Sequence, residues 1–200
     1  MITGLKYPVC APYSVGAGNV PTYGEGFVMG KGVKITPTTE NADAEFWADN
    51  ELYASDNGIT GGTISEEISH MTPENYAKLL GHTYKAKSEN SPEEVEIKAG
   101  DTAIEVGHGY IVLEEYKDNK EQPVYKHVVV WYNRVKFTEP NNSEGQTRAK
   151  NTEYTAITID GRWSAACNGA FGKKIYCESE AEAISTLNEL ANINPAAAAN

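Results

Sequence analysis

Residues 128–132 read Val-Val-Val-Trp-Tyr. All five side chains are β-branched or aromatic, which favours a pleated strand over a helix. Successive side chains of a strand point to opposite faces, so a run that is apolar at every position needs apolar cover on both faces. The chain must therefore build a sheet with something packed on each side. From Asn133 the pattern alternates, with Val135 and Phe137 turned one way. The strand thus extends over Val124 to Thr138 and forms a hairpin with Tyr110 to Glu115 across the charged turn KDNKEQP.

Further strand signals surround this one. Phe27 to Thr38 carries Phe27, Met29, Val33 and Ile35 on one parity, with Gly30, Gly32 and Lys34 on the other. Thr60 to Met71 sets Ile64 and Ile68 against Ser65, Glu67 and Ser69, and Thr152 to Ile159 alternates as well. Between the first two lies NADAEFWADNELYASDNG, residues 41–58, ending in the turn signal Asp56-Asn57-Gly58. A connection this long between strands is unusual and often functional. Residues 85–100 and 140–150 are polar and read as surface loops. Residues 1–26 hold Gly4, Pro8, Pro12, Gly16, Gly18, Pro21, Gly24 and Gly26, and read as an extended N-terminal arm.

Two helices are predicted. Thr72, Pro73 and Glu74 open a short one that ends at Gly81. Ser179 with Glu182 forms a capping box for a C-terminal helix over 179–193, with Ile184, Leu187, Leu190 and Ala191 as its apolar stripe. No internal repeat is found. The expectation is one domain over residues 1–200: a mainly β sandwich or barrel with a short flanking helix, an N-terminal arm and a C-terminal helix.

The balance of 28 acidic against 17 basic residues gives a formal charge of −11. This opposes a protein that grips nucleic acid through its phosphates, and suits a surface that DNA passes without sticking. No stretch approaches ~18 apolar residues, so no membrane span is expected. The N-terminus has no basic start followed by an apolar stretch, so no secretory signal is expected and folding in a reducing cytoplasm is. Cys10, Cys167 and Cys177 are expected to be free thiols. His70, His82, His108 and His127 are scattered, with His70 and His127 in predicted strands. No nucleophile elbow, phosphate loop or metal-ligand spacing occurs. The acidic stretch Asp43, Glu45, Asp49, Glu51, Asp56 lacks the spacing of a calcium loop. Neither catalysis, a cofactor nor a metal is expected. The reading reached from the residues is a non-enzymatic β domain whose arms bury surface only against neighbours. The alternative is a monomeric surface- or carbohydrate-binding β-sandwich module, with Trp47 and Tyr53 as its aromatic platform.

Seven segments carry a resemblance: GLKYPV at 4–9, PTYGEG at 21–26, DAEFWADNELYASDNG at 43–58, KLLGH at 78–82, GHGYIVLEE at 107–115, VVVWYNRVKFTEP at 128–140 and ESEAEAISTLNEL at 178–190. Together and in this order they resemble the major tail proteins of the phi13-type siphophage family. The resemblance implies a tail-tube fold, six-subunit rings stacked into a tube, and inner sheets joined into a barrel around a lumen. It implies that residues 41–58 reach an adjacent ring, with Asp43, Phe46, Trp47, Asp49, Leu52 and Tyr53 as contact candidates. Leu5, Tyr7, Pro8 and Tyr23 would be arm contacts. Glu66, Glu67, Glu114 and Glu115 are lumen candidates, at most one of each adjacent pair facing inward. The implied partners are further copies of the chain, the tape measure, distal tail and terminator proteins, and double-stranded DNA in passage. The implied location is the virion tail, assembled in the host cytoplasm.

Overall fold

The computed structural model describes residues 1–48, 51–56, 58–118, 120–140 and 156–194, with backbone alone for 44–48 and 51–56. The fold is mainly β. Its strands are β1 (Ile2–Gly16), β2 (Val20–Tyr23), β3 (Phe27–Val28), β4 (Gly32–Asn41), β5 (Ala44–Ala48), β6 (Glu51–Asp56) and β7 (Ile59–Ile68). Helix α1 (Pro73–Leu80) follows, then β8 (Thr83–Lys85), β9 (Glu94–Glu96), β10 (Glu105–Lys117), β11 (Pro123–Phe137), β12 (Ile157–Trp163), β13 (Gly172–Cys177) and α2 (Glu180–Ala191). One antiparallel sheet runs β2-β1-β10-β11-β12-β7-β4, with β13 also on β11 and β3 also on β1.

β11 is the branch point. Residues His127 to Tyr132 pair with β13, whereas Val135 to Phe137 pair with β12. Beyond the branch the β12-β7-β4 portion folds over one face of the sheet. Val128 and Val130 join Cys10, Tyr110, Val112, Ile64, Ile68, Ile159 and Trp163 in the core between the two portions. Val129 and Trp131 point the other way and pack with Val9, Ala11, Ile111 and the α2 residues Ala183, Leu187 and Ala191. The run of five apolar residues is thus covered by β strands on one side and a helix on the other, as its composition requires. Leu79 and Leu80 of α1 belong to the first of these cores.

Both helices are fixed by their caps. The Thr72 side chain accepts the Asn75 N–H, Pro73 occupies the first position, and Gly81 ends α1 at φ 77°. In α2 the Ser179 hydroxyl accepts the Glu182 N–H at 3.2 Å. The Glu182 carboxylate turns back to the Glu178 N–H at 2.9 Å, one residue earlier than a standard capping box. Ser179→Ala is expected to cost about 1 kcal/mol, read as a lower urea midpoint. Ser185→Ala, at an exposed position of the same helix, is the control and should not lower it.

Several expectations are corrected. Residues 1–26 form no free arm: β1 is a 15-residue strand paired along β10, and Val9, Cys10 and Ala11 are fully buried. Its glycines and prolines are accommodated by local irregularity. Gly4 and Tyr7 take φ of 64° and 55°, two register shifts occur between Thr3 and Val9, and the Pro8 and Pro12 carbonyls accept the N–H groups of Met29 and Gly24. The strand expected over 27–38 is broken at Gly30 into β3 and β4, which leaves Val33 exposed. His70 lies just past the end of β7. Residues 85–100, read as a loop, contain β9 and a small hairpin with β8. Strand β13 went unpredicted because its Gly-Lys-Lys-Ile-Tyr-Cys sequence has a single well-buried residue, Cys177.

Candidate assembly surfaces

Strands β4 and β7 pair from Gly32↔Ile68 to Asn41↔Ile59, and the Ala42 N–H donates to the Gly58 carbonyl at 2.7 Å. The pairing then resumes in β5 and β6, from Ala44↔Asp56 to Ala48↔Glu51. Strands β5 and β6 are therefore the distal part of one long ribbon that springs from the folded-over portion of the sheet. Among the described residues, β5 and β6 pair with each other and with no other strand. Asp43 is exposed at the base of this hairpin. Asp49 and the side chains of Phe46, Trp47, Leu52 and Tyr53 lie outside the described residues.

The outer face of β12-β7-β4 is polar. Its cross-strand rows are Lys34–Glu67–Thr158, Thr36–Ser65–Asp160 and Thr38–Thr63–Arg162. The two cations in these rows are paired: Lys34 lies 3.7 Å from Glu67, and Arg162 lies 2.6 Å from Glu40. Of these residues only Glu67 was a lumen candidate in the sequence, because hydroxyl side chains in strands are read as filler until the register aligns them.

The four acidic lumen candidates do not share a face. Glu67 stands on the polar face just described. Glu66 is a correction: it points inward, fully buried, because it shares the parity of Ile64 and Ile68. Glu114 lies on β10 beside Lys174, 3.2 Å away, and Glu115 takes the opposite face of the same strand. The proposed arm contacts have partners within the chain itself, and Leu5, Tyr7 and Tyr23 remain half-buried. Leu5 packs on the inter-strand core and Pro8 is buried. The Tyr7 hydroxyl donates to Asn188 Oδ1 at 3.0 Å. Tyr23 stands T-shaped on Trp131 at 5.1 Å and donates to the Asn133 carbonyl.

Two polar clusters went unnoticed in the sequence. His82 is held between Asp101, 2.8 Å from Nδ1, and Glu139, 3.0 Å from Nε2, and Tyr76 donates to the same Glu139. Burial alone would lower the imidazole, but the two carboxylates outweigh it and hold His82 above its ordinary range. The second cluster lies in the core. Glu66 and His108 are both fully buried, with Oε2 at 3.4 Å from Nε2, and Cys10 Sγ is 3.6 Å from the other ring nitrogen. By residue type this is a nucleophile, a base and an acid. Complete burial of all three leaves no place for a substrate atom, so the cluster presents no chemistry to solvent.

Two concavities open between the described residues. One of about 910 Å³ lies between β1, β3 and the start of α1, with Lys6, Lys31 and Lys78 interspersed with Glu25 and Glu74. The other, about 350 Å³, is the notch where β13 diverges from β12, floored by Tyr132, Trp163 and Phe171. Among the described residues no group of His, Cys, Asp and Glu is placed to hold a metal ion. The three cysteines are free thiols. Among the described residues no helix is long and apolar enough to cross a membrane. No protein-family model matches the chain, and comparison with curated proteins returns no match.

Proposed function

We propose that this chain is the self-assembling structural subunit of a bacteriophage tail tube, forming stacked six-subunit rings through which DNA leaves the virion. The observation that carries this reading is the β4–β7 ribbon. Its distal hairpin extends from the sandwich and, among the described residues, pairs only with itself, and an extension of this kind buries its surface against a second molecule. Among the described residues strands β4 and β13 each pair along one side only, so each offers an edge for joining sheets between subunits. The Thr- and Ser-rich face of β12-β7-β4 supports the conduit role. Among the described residues its cross-strand cations, Lys34 and Arg162, lie beside Glu67 and Glu40, and paired cations give phosphate a weaker charge-assisted contact. The net charge of −11 works in the same direction. In this reading the remaining partners are other tail proteins, and no cofactor or catalytic step is involved.

Sedimentation of the purified chain over a range of concentrations tests the proposal. Six-subunit rings and longer assemblies are expected. A chain that remains a monomer at all concentrations would instead favour a binding module. A second prediction concerns the wall. Glu67→Lys removes the partner of Lys34 and leaves two unpaired cations on the polar face. Tubes should form normally, and DNA ejection, followed by dye release, should slow more at low salt than at high salt. Ejection at the normal rate at both salts would take this face away from the lumen.

A further inference from the structure

We infer that Glu66 and His108 form a one-proton latch between the two portions of the sandwich, closed while Glu66 is a neutral acid and released when it ionises. Glu66 stands on β7 and His108 on β10, so the pair bridges the folded-over portion and the central sheet across their common core. The proton count follows from the geometry. His108 Nδ1 lies 3.1 Å from the Val9 carbonyl, and a carbonyl only accepts, so the ring proton sits on Nδ1. Nε2 is then a bare acceptor, and it faces Glu66 Oε2 at 3.4 Å. Two bare acceptors at this separation repel, whereas a protonated carboxyl can donate to Nε2.

Among the described residues nothing around Glu66 favours its ionised form. Its register neighbours on β4 and β12 are Ile35 and Ile159. The titratable groups facing it are His108 and Tyr110 from β10 and Cys10 from β1, and burial drives each of them toward its neutral state. No Lys or Arg among the described residues pairs with it, and neither of its oxygens has a well-aligned hydrogen bond. Burial raises Glu66 from 4.5 to about 8 and lowers His108 from 6.5 to about 4. The two act in opposite directions on stability. The Glu66 contribution is complete below pH 4.5 and is lost as pH rises toward 8. The His108 contribution is complete above pH 6.5 and is lost as pH falls toward 4. Above pH 6.5, of the two, Glu66 alone responds.

Thermal and urea unfolding of the full chain from pH 5 to pH 9, beside Glu66→Gln, reads the latch. The neutral amide cannot ionise, so the offset between the two proteins is fixed below pH 4.5 and should still be close to that value at pH 5. They should then diverge, the unsubstituted chain losing up to about tenfold in folding constant per pH unit until pH 8. Titration of His82 and of surface groups is common to both and cancels. Parallel profiles across the whole range would overturn the inference. Infrared spectroscopy of the unsubstituted chain decides independently of how the variant folds. A protonated-carboxyl band should persist at pH 6.5, where surface carboxylates are ionised, and disappear by pH 9. Absence of that band at pH 6.5 would overturn the latch as surely as parallel profiles. Both measurements are made on the folded chain as such, so they stand apart from whether rings form.

Discussion

Deletion of residues 43–56 is expected to abolish tube formation and to leave the sandwich folded. Among the described residues the distal hairpin adds no strand to the main sheet, so its removal takes no pairing from the core. The two ends are already adjacent: Asn41 pairs with Ile59, and the Ala42 N–H donates to the Gly58 carbonyl. The deletion would close β4 and β7 through Ala42-Asn57-Gly58, whose Asn-Gly pair is a favourable turn sequence. A shorter loop also costs less closure entropy. Circular dichroism should report an unchanged β spectrum and a melting temperature within a few degrees, while electron microscopy should show no tubes. Tubes of normal length from the shortened chain would remove the hairpin from the inter-ring contact.

The largest loss of stability is expected at Trp131. Its side chain is 1% exposed, packed beneath α2 and edge-on to Tyr23. Gly107 and Gly109 make its bed: a Cβ at these positions would stand 2.4 Å and 2.6 Å from the indole, and one at Gly109 would also meet Leu187 at 2.7 Å. Trp131→Ala should therefore cost about 3–5 kcal/mol, because two residues without side chains cannot fill the space it leaves. Gly109→Ala should cost about 1–3 kcal/mol through overpacking. The two changes relieve each other, so the double variant should be more stable than the sum of single costs predicts. Urea unfolding of the four proteins measures this coupling. Strict additivity would show that the glycines are not there for the indole.

What the sequence displayed of this fold follows the burial of each segment. The 128–132 run was legible because cover on both faces leaves no alternative to a central strand. Both helices were legible through local chemistry, the Thr72, Gly81 and Ser179 caps. Strand β1 was hidden because its glycines and prolines are spent on bulges and positive φ, which composition cannot tell from a loop. Strand β13 was hidden because an edge strand with Lys173 and Lys174 has little apolar pattern to show. The inward direction of Glu66 was present in the parity of Ile64 and Ile68, yet a carboxylate among apolar residues is read as exposed by default. The polar face needed the register, since Thr36, Ser65 and Asp160 become neighbours only when three strands align. The His82 cluster draws Asp101 and Glu139 from segments far apart in the chain, and no local pattern announces such a meeting.

The assembly reading rests most directly on the form the purified chain takes in solution. Negative-stain electron microscopy of the full-length protein, at neutral pH and moderate salt, gives the answer in one field of view. Six-fold rings with an open centre, and stacks of them with a regular axial repeat, are the predicted result. A uniform population of small single particles at every concentration would contradict it and leave the chain a monomeric β domain.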